Sequence, residues 1–133
     1  MKLRLIAALA TALVLAACAA PPQRFASVTG LKPEREAYYR QLHAAPWPAI
    51  LARIKDCNIR NYSIYCSRID GKAYLFSYFE YVGKDFAADM KKMAADPETR
   101  RWWRETDPCQ VPLPAARIKG GIWADAEEVF HTD

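Results

Sequence analysis

His43 and the adjacent pair Trp102 and Trp103 are the residues of this 133-residue chain whose types and spacing best suit chemistry. Tyr39 precedes His43 by four positions, so the two share one face of a predicted helix. An imidazole near a helix end and beside aromatic rings can titrate close to neutrality and can move protons in both directions. The alternative is a surface or capping histidine with no catalytic role. His131, close to the C-terminus, is the weaker candidate.

The tryptophan pair lies in a charged stretch, RRWWRETD, for which we predict a helix. Neighbouring side chains on a helix point about 100° apart, so one core does not easily take up both rings from the same side. A flat ring beside a cleft is a stacking surface for the apolar C–H face of a sugar. The alternative is that one ring belongs to the core and the other lies half-buried at the surface. The sequence does not decide which tryptophan is packed and which is exposed.

Composition and charge argue against several classes of function. Hydrophobic residues make up 52% of the chain, which is typical of a globular protein. The net charge of +4 is small and its acids and bases are interspersed, so the sequence does not indicate a nucleic-acid partner. The sequence contains no glycine-rich phosphate loop, no Cys-x-x-Cys and no paired histidines at metal-ligand spacing. We therefore predict neither a metal nor a cofactor.

The N-terminal stretch MKLRLIAALATALVLAAC has the features of an export signal. Two basic residues precede an apolar run of about 13 residues, which is shorter than the ~20 that a membrane-spanning helix needs. Its end, Leu15-Ala16-Ala17-Cys18, resembles the lipobox of bacterial lipoproteins, in which cleavage occurs just before a cysteine that carries the lipid. The alternative is an N-terminal helix that packs on the domain.

This resemblance implies a lipoprotein signal peptide over residues 1–17, a lipidated tether over residues 18–23 and a folded domain over residues 24–133. The expected product is an exported lipoprotein on the periplasmic side of a membrane, held there by its lipid anchor alone. Ala19, directly after Cys18, favours the outer membrane by analogy with lipoprotein sorting.

Three cysteines remain after the predicted cleavage, namely Cys57, Cys66 and Cys109. In an oxidising compartment an odd number leaves at least one free thiol or one intermolecular bond. A bridge between Cys57 and Cys66 would need a bend, because an extended strand would hold their Cα atoms beyond the ~7 Å limit for a disulfide.

The elements that must position these side chains follow from apolar periodicity and from turn residues. The first half is predicted to contain a strand over 24–29, a turn over 30–33, a helix over 34–45 with Tyr38, Leu42 and Ala45 on its core face, and a short helix from Pro48. Two strands follow over 61–66 and 72–81, joined by an Asp70-Gly71 hairpin. The second half is predicted to contain a helix carrying Phe86, Met90 and Met93, a helix over 97–106 capped by Asp96, a loop over 110–121 and a last strand over 127–131.

The order β-α-β-β-α-β predicts an α+β, ferredoxin-like fold with a four-stranded antiparallel sheet. Helices on one side of such a sheet leave the other side open, and here that side would be rich in Tyr, Phe and Ile. A large apolar surface needs cover, and a second copy of the same sheet supplies it. We therefore expect a homodimer whose sheets meet.

Four separated motifs, YYRQLHAAPWPAI, NYSIY, MAADPETRRWWRETDPCQ and EEVFH, together resemble the L-rhamnose mutarotases. The likeness runs from about Arg24 to the C-terminus. It implies a ferredoxin-like fold that dimerises into a dimeric α/β barrel, and interconversion of the α and β anomers of L-rhamnose without metal or cofactor. It also implies site residues, namely His43 as the catalytic histidine, Tyr39 and Tyr62 as sugar-contacting tyrosines, and Trp102 and Trp103 as the sugar-binding pair.

Mutarotation needs a proton on the ring oxygen and the loss of one from the anomeric hydroxyl, and we expect His43 to act as the proton donor. Members of the family commonly lack an export signal, so the sugar and the pathway stay open. One alternative is a sugar-binding lipoprotein without catalysis on the same scaffold. Another is a different reaction on a dimeric α/β barrel, such as cofactor-free oxygenation or haem handling.

Overall fold

A computed structural model describes residues 20–132 of the chain. The signal peptide predicted over residues 1–17 and the lipidation site Cys18 lie outside the described residues. In the described part, no helix has both the length and the apolar character needed to cross a membrane.

Five strands and five α-helices, with two short 3-10 helices, make up the described chain. They are β1 (Gln23–Leu31), a 3-10 helix (Pro33–Arg35), α1 (Glu36–Ala44), α2 (Pro48–Asp56), β2 (Ile59–Ile69), β3 (Lys72–Tyr81), α3 (Phe86–Ala95), α4 (Pro97–Thr106), a second 3-10 helix (Asp107–Cys109), β4 (Gln110–Val111), α5 (Pro114–Ile118) and β5 (Ala124–Ala126).

The strands form one antiparallel sheet in the order β2-β3-β1-β4, with β5 also paired to β1. The short strands β4 and β5 contact β1 at residues 30–31 and 26–28 respectively, so together they take the place of a single fourth strand. This arrangement confirms the predicted α+β, ferredoxin-like fold.

Local sequence signals account well for the central elements. Asp96 ends α3 and caps α4, because its side chain accepts a hydrogen bond from the backbone N–H of Thr99 at 2.8 Å. Pro97 occupies the first turn of α4, where its missing N–H costs nothing. Asp70 and Gly71 both have positive φ, as a two-residue hairpin turn requires. The predicted helix over 97–106 and strand over 72–81 are confirmed residue for residue.

The C-terminal third differs from the prediction. The expected loop over 110–121 is wrong, because it contains β4 and α5, and the expected strand over 127–131 is wrong, because the last strand is β5. Thr29 explains part of the difference, since its hydroxyl donates to the carbonyl of Ile122 at 2.9 Å and holds the chain before β5 against β1. Gly30, predicted as a turn, continues β1, and a Cβ there would lie 2.9 Å from the carbonyl oxygen of Val111.

The face of α1 that packs on the sheet also differs from the prediction. Tyr39 is buried with the core, whereas Tyr38, predicted as core, is half-buried and donates to the Glu105 carboxylate at 2.5 Å. Ala45 lies beyond the end of the helix and is exposed. The main core cluster consists of Leu31, Tyr39, Ala73, Leu75 and Cys109.

The three described cysteines are all free thiols. Cys57 and Cys109 are buried, and Cys66 is partly buried on β2. The Cys109 thiol donates to the carbonyl of Glu105 at 3.4 Å, which ties the second 3-10 helix to α4.

Candidate active site

Two adjoining hollows lie between the helices and the sheet, with volumes of about 570 and 540 Å³. We call the first the α1–α2 hollow, since Arg40 and Leu51 of those helices border it. We call the second the α4 hollow, because Trp102, Trp103 and Thr106 of that helix border it. The residues Tyr39, His43, Tyr62, Trp102 and Trp103 all line the α4 hollow, and all of these except Trp103 also line the α1–α2 hollow.

His43 lies in the last turn of α1, with its Nδ1 atom 2.9 Å from the backbone carbonyl oxygen of Tyr39. A carbonyl oxygen can only accept, so Nδ1 carries the hydrogen and Nε2 is the unprotonated nitrogen of the neutral ring. Burial lowers the pKa of His43 below its ordinary value of 6.5, and the hydrogen bond to Tyr39 offsets this in part. The imidazole is therefore held neutral at pH 7 with a basic Nε2.

Aromatic rings fix the plane of this imidazole on two sides. The Tyr39 ring stacks on it with centroids 4.1 Å apart and an angle of 27°. Trp102 meets it edge to face, with centroids 5.2 Å apart and an angle of 69°. A ring held in this way loses little conformational freedom when a ligand binds.

Trp102 and Trp103 divide the two roles that the sequence left open. Trp102 is 7% exposed and packs edge to face against Trp47 at 5.1 Å as well as against His43. Trp103 is 37% exposed and lies on the rim of the α4 hollow. Trp102 is thus the packed anchor, although one side of its ring still borders the hollow, and Trp103 is the accessible ring.

Tyr62 reaches the hollow because of a β-bulge in β2. The register passes from Arg60 opposite Glu80 to Ser63 opposite Tyr78, so two residues of β2 face one residue of β3. Asn61 takes a positive φ of 49° at this point. The extra residue brings Tyr62 to the helix-covered side, where its ring meets Phe79 at 5.7 Å. Tyr62 as a whole is 43% exposed, but the surroundings of its hydroxyl partly withdraw that group from water, which raises its pKa and keeps it protonated.

Tyr39 and Gln110 form a buried polar pair in the wall of the α4 hollow. Both side chains are at least nine-tenths buried, and the Gln110 amide donates a hydrogen bond to the Tyr39 hydroxyl oxygen. Burial raises the pKa of Tyr39 well above its usual range, which keeps the phenol protonated. The Gln110 Oε1 atom is buried and has no hydrogen-bond partner among the described residues. A buried acceptor without a partner costs about 1–3 kcal/mol.

The sequence prediction missed several residues of this wall. Gln110 and Asp107 belong to the TDPCQ stretch, which a spacing rule does not single out. Partial removal from water raises the pKa of the Asp107 carboxyl, and a hydrogen bond that it accepts from Thr106 offsets this in part. The sequence prediction also did not name the apolar residues of the wall as part of the site. They include Ile50, Ile54, Ile64 and Trp123. His131 lies in the exposed C-terminal segment, away from both hollows.

Between residues 20 and 132, no cluster of three or more His, Cys, Asp or Glu side chains is placed to hold a metal ion. The wall instead combines aromatic and aliphatic faces with a few neutral polar groups and one basic nitrogen. Such a lining suits a small ligand with apolar C–H faces and several hydroxyls. The chain is therefore a ferredoxin-like domain whose pocket, by its lining, suits a small ligand with several hydroxyls and contains one basic nitrogen.

Comparisons with known proteins agree with this class. A model of the family described as L-rhamnose mutarotase matches residues 24–132. The L-rhamnose mutarotase of Listeria monocytogenes is 30% identical over 110 residues, which cover 82% of this chain and 97% of that protein. The corresponding protein of Phocaeicola vulgatus is 29% identical over 113 residues, with 77% and 91% covered. The chain belongs to the L-rhamnose mutarotase family.

A solved structure supports the fold independently. The crystal structure of an L-rhamnose mutarotase from Formosa agariphila superposes with a TM-score of 0.61 and covers 84% of this chain and 99% of the other. Its sequence identity is 23%, so this likeness bears on the fold alone.

Proposed function

We propose that this protein is an isomerase that interconverts the α and β anomers of L-rhamnose or a closely related deoxysugar. The observation that carries the proposal is His43, whose neutral imidazole lines the same hollow as the two tryptophans. Family membership supports the same activity and makes L-rhamnose the first substrate to test.

From the neutral state of His43 we infer the order of proton transfers. Nε2 takes the proton of the anomeric hydroxyl, and the aldehyde forms as the bond between C1 and the ring oxygen breaks. The imidazolium then gives that proton to the ring oxygen, which was bonded to the same carbon. After rotation about the C1–C2 bond, the reverse steps close the ring on the other face. His43 thus acts first as base and then as the donor that the sequence suggested, and such catalysis typically contributes 10²–10⁴-fold.

The remaining site residues bind and orient the sugar. The phenols of Tyr39 and Tyr62 stay protonated and can donate hydrogen bonds to sugar oxygens. The exposed ring of Trp103 stacks on a C–H face of the pyranose, and Trp102 closes the wall beside His43. This division leaves one group, His43, to carry the proton.

Magnetisation-exchange NMR between the two anomeric protons of L-rhamnose tests the proposal directly. We expect the exchange rate to rise in proportion to protein concentration, and to rise less for L-mannose and L-fucose. Saturation-difference spectra on the same samples report binding separately. Binding without added exchange would contradict catalysis and would identify a sugar-binding protein instead.

The uncovered face of the sheet supports a homodimer. Tyr65, Tyr74, Phe76 and Tyr78 lie on the side opposite the helices, and Tyr65 is 64% exposed. Burying this aromatic surface against a second copy removes it from water, as the dimeric α/β barrel of the family would. Phe76→Glu should convert the dimer into a monomer in sedimentation experiments, and a wild-type monomer would contradict the proposal.

The N-terminal sequence supports export and lipid anchoring at Cys18. In a Gram-negative host, the wild-type chain should partition into the detergent phase with a mass increase from its acyl groups. Cys18→Ser should leave the chain unlipidated. Equal partitioning of the two forms would contradict the anchor.

A further inference from the structure

Gln110 holds a hydrogen-bond acceptor for which the described residues supply no donor. It is the first residue of β4, opposite Leu31 on β1, and its side chain is 5% exposed. Its Oε1 atom is buried and unpartnered, and the side chain lines the α4 hollow. Buried polar atoms in folded proteins nearly always have partners, so this oxygen has unused hydrogen-bonding capacity beside the hollow.

The hydrogen bond between Gln110 and Tyr39 determines what the pair offers to such a ligand. Because the amide N–H donates to the Tyr39 hydroxyl oxygen, the phenol's own proton is available to the hollow. Oε1 of the same amide accepts no hydrogen bond from the residues between 20 and 132. The pair therefore presents one donor and one acceptor side by side.

A sugar hydroxyl needs this combination, since it donates one hydrogen bond and accepts another. We propose that Gln110 Oε1 accepts a hydrogen bond from a ring hydroxyl of the sugar other than the anomeric one, while Tyr39 donates to the same hydroxyl. The anomeric oxygen is excluded because it faces His43 in the proposed reaction. Gln110 is thus a specificity-determining residue, an inference that rests on the proposed function.

The proposal predicts discrimination between sugars that differ by one hydroxyl. An analogue lacking that hydroxyl leaves Oε1 unpartnered in a closed site, which should weaken binding by about 10-fold to 100-fold. Sugars altered elsewhere on the ring should not show this dependence on Gln110.

The test measures the affinity of each protein variant for each of several sugars. Affinities for L-rhamnose and for its 2-, 3- and 4-deoxy analogues are measured on the full chain, for wild type and for Gln110→Met, which keeps the length of the side chain but has no acceptor amide. Gln41→Met, on the exposed surface of α1, is the matched control. Wild type and the control should bind one analogue at least 10-fold more weakly than L-rhamnose, and Gln110→Met should bind the two alike.

A second measurement needs no variant at the site. The chain has three glutamines, Gln23, Gln41 and Gln110, so the side-chain amide signals are few and assignable in ¹⁵N spectra. L-Rhamnose should shift the Gln110 amide signal, and the selected deoxy analogue should not.

Two outcomes would overturn the inference. The first is unchanged discrimination in Gln110→Met, which would mean that water alone satisfies Oε1. The second is a Gln110 amide signal that does not respond to L-rhamnose although the sugar binds. Anomer exchange is recorded on the same samples, so a loss of discrimination without any exchange would contradict the proposed reaction while supporting the role of Gln110.

Discussion

Two buried tyrosines, Tyr39 on α1 and Tyr81 on β3, show how the same side chain serves structure in one place and a site in the other. The hydroxyl of Tyr81, at the end of β3, donates to Asp89 at 2.7 Å and accepts from the backbone N–H of Asp85 at 3.0 Å. A Cβ on Gly83 would overlap the Tyr81 ring, so the chain folds tightly over it. The Tyr39 hydroxyl accepts from Gln110, and Tyr39 lines the hollow.

The two surroundings differ in how completely their polar groups are hydrogen-bonded within the protein. Around Tyr81 the polar groups are paired with each other, and Asn58 adds a bond of 2.8 Å to the same Asp89 oxygen. Around Tyr39 the groups are held neutral by burial, and Gln110 Oε1 has no partner among residues 20–132. We expect changes near Tyr81 to affect the free energy of unfolding and changes near Tyr39 to affect turnover.

The largest expected effect is at His43. His43→Ala should lower the anomer-exchange rate by about 10²–10⁴-fold, because it removes the basic nitrogen, while the sugar still binds. Exchange NMR measures the rate, and saturation-difference NMR measures binding. His131→Ala, in the exposed tail, is the control and should keep the wild-type rate. Full exchange in His43→Ala would refute the assignment of the base.

The two tryptophans repeat the contrast within a single turn of α4. Trp102→Ala should lower the free energy of unfolding by about 3–5 kcal/mol, because it removes a buried indole that contacts His43 and Trp47. Trp103→Ala should weaken sugar binding about 10-fold with a much smaller change in stability. Urea unfolding and sugar titration separate the two effects, and equal losses of stability would contradict the anchor-and-rim arrangement.

Removal of each tyrosine hydroxyl tests the comparison itself. Tyr81→Phe should lower the unfolding midpoint by about 5 °C, because Asp89 and the Asp85 N–H lose a buried partner, and should leave exchange per folded molecule unchanged. Tyr39→Phe should lower the exchange efficiency about 10-fold with a smaller shift in the midpoint. Calorimetry measures the unfolding midpoint and exchange NMR measures the rate for both variants. A larger loss of stability in Tyr39→Phe and a larger loss of exchange in Tyr81→Phe would contradict this comparison.

The smallest effects are those of pH, and they separate the two regions again. Burial lowers the pKa of His43 below 6.5, so exchange should rise with pH through the folded pKa and level off before neutrality. Stability should also rise with pH between that folded pKa and 6.5, because the unfolded chain binds the proton more readily.

Asp89 is charged in the folded protein at neutral pH, whereas His43 is neutral, but its contribution to stability also falls as the pH falls. The Tyr81 hydrogen bond, helped by Asn58, holds its pKa below 3.8, so its contribution to stability is present above that value and is lost as pH falls through the folded pKa. As the pH is lowered, anomer exchange should therefore be lost at a higher pH than the folded structure. Coincident loss of exchange and near-UV circular dichroism would contradict this separation.

Local signals were enough to predict most of the fold. The Asp96 cap, Pro97 and the Asp70-Gly71 turn act within a few residues, so their effects can be read from the sequence. The short strands β4 and β5 pair with β1, which lies far from them in the sequence, and Thr29 bonds Ile122 over the same separation. A strand of two residues also has no periodicity that a sequence could reveal.

The site was predictable to a similar degree. The resemblance named five residues that line the hollow, because a motif is read from residue types alone. It could not give the tautomer of His43, which depends on the Tyr39 carbonyl, or the partnerless oxygen of Gln110, which depends on burial. These properties arise from packing and leave no pattern in the sequence.

The bulge in β2 decides which side chains of this strand share a face. Alternate residues of a regular strand point to opposite sides, so Ile59 and Tyr62, three positions apart, would face opposite sides of the sheet without it. Because two residues of β2 stand opposite Phe79, Ile59 faces the helices together with Tyr62, Ile64 and Cys66. Regular pairing of the same residues would turn either Ile59 or the other three away from the helices, so the floor of the cleft depends on one irregular step in the ladder.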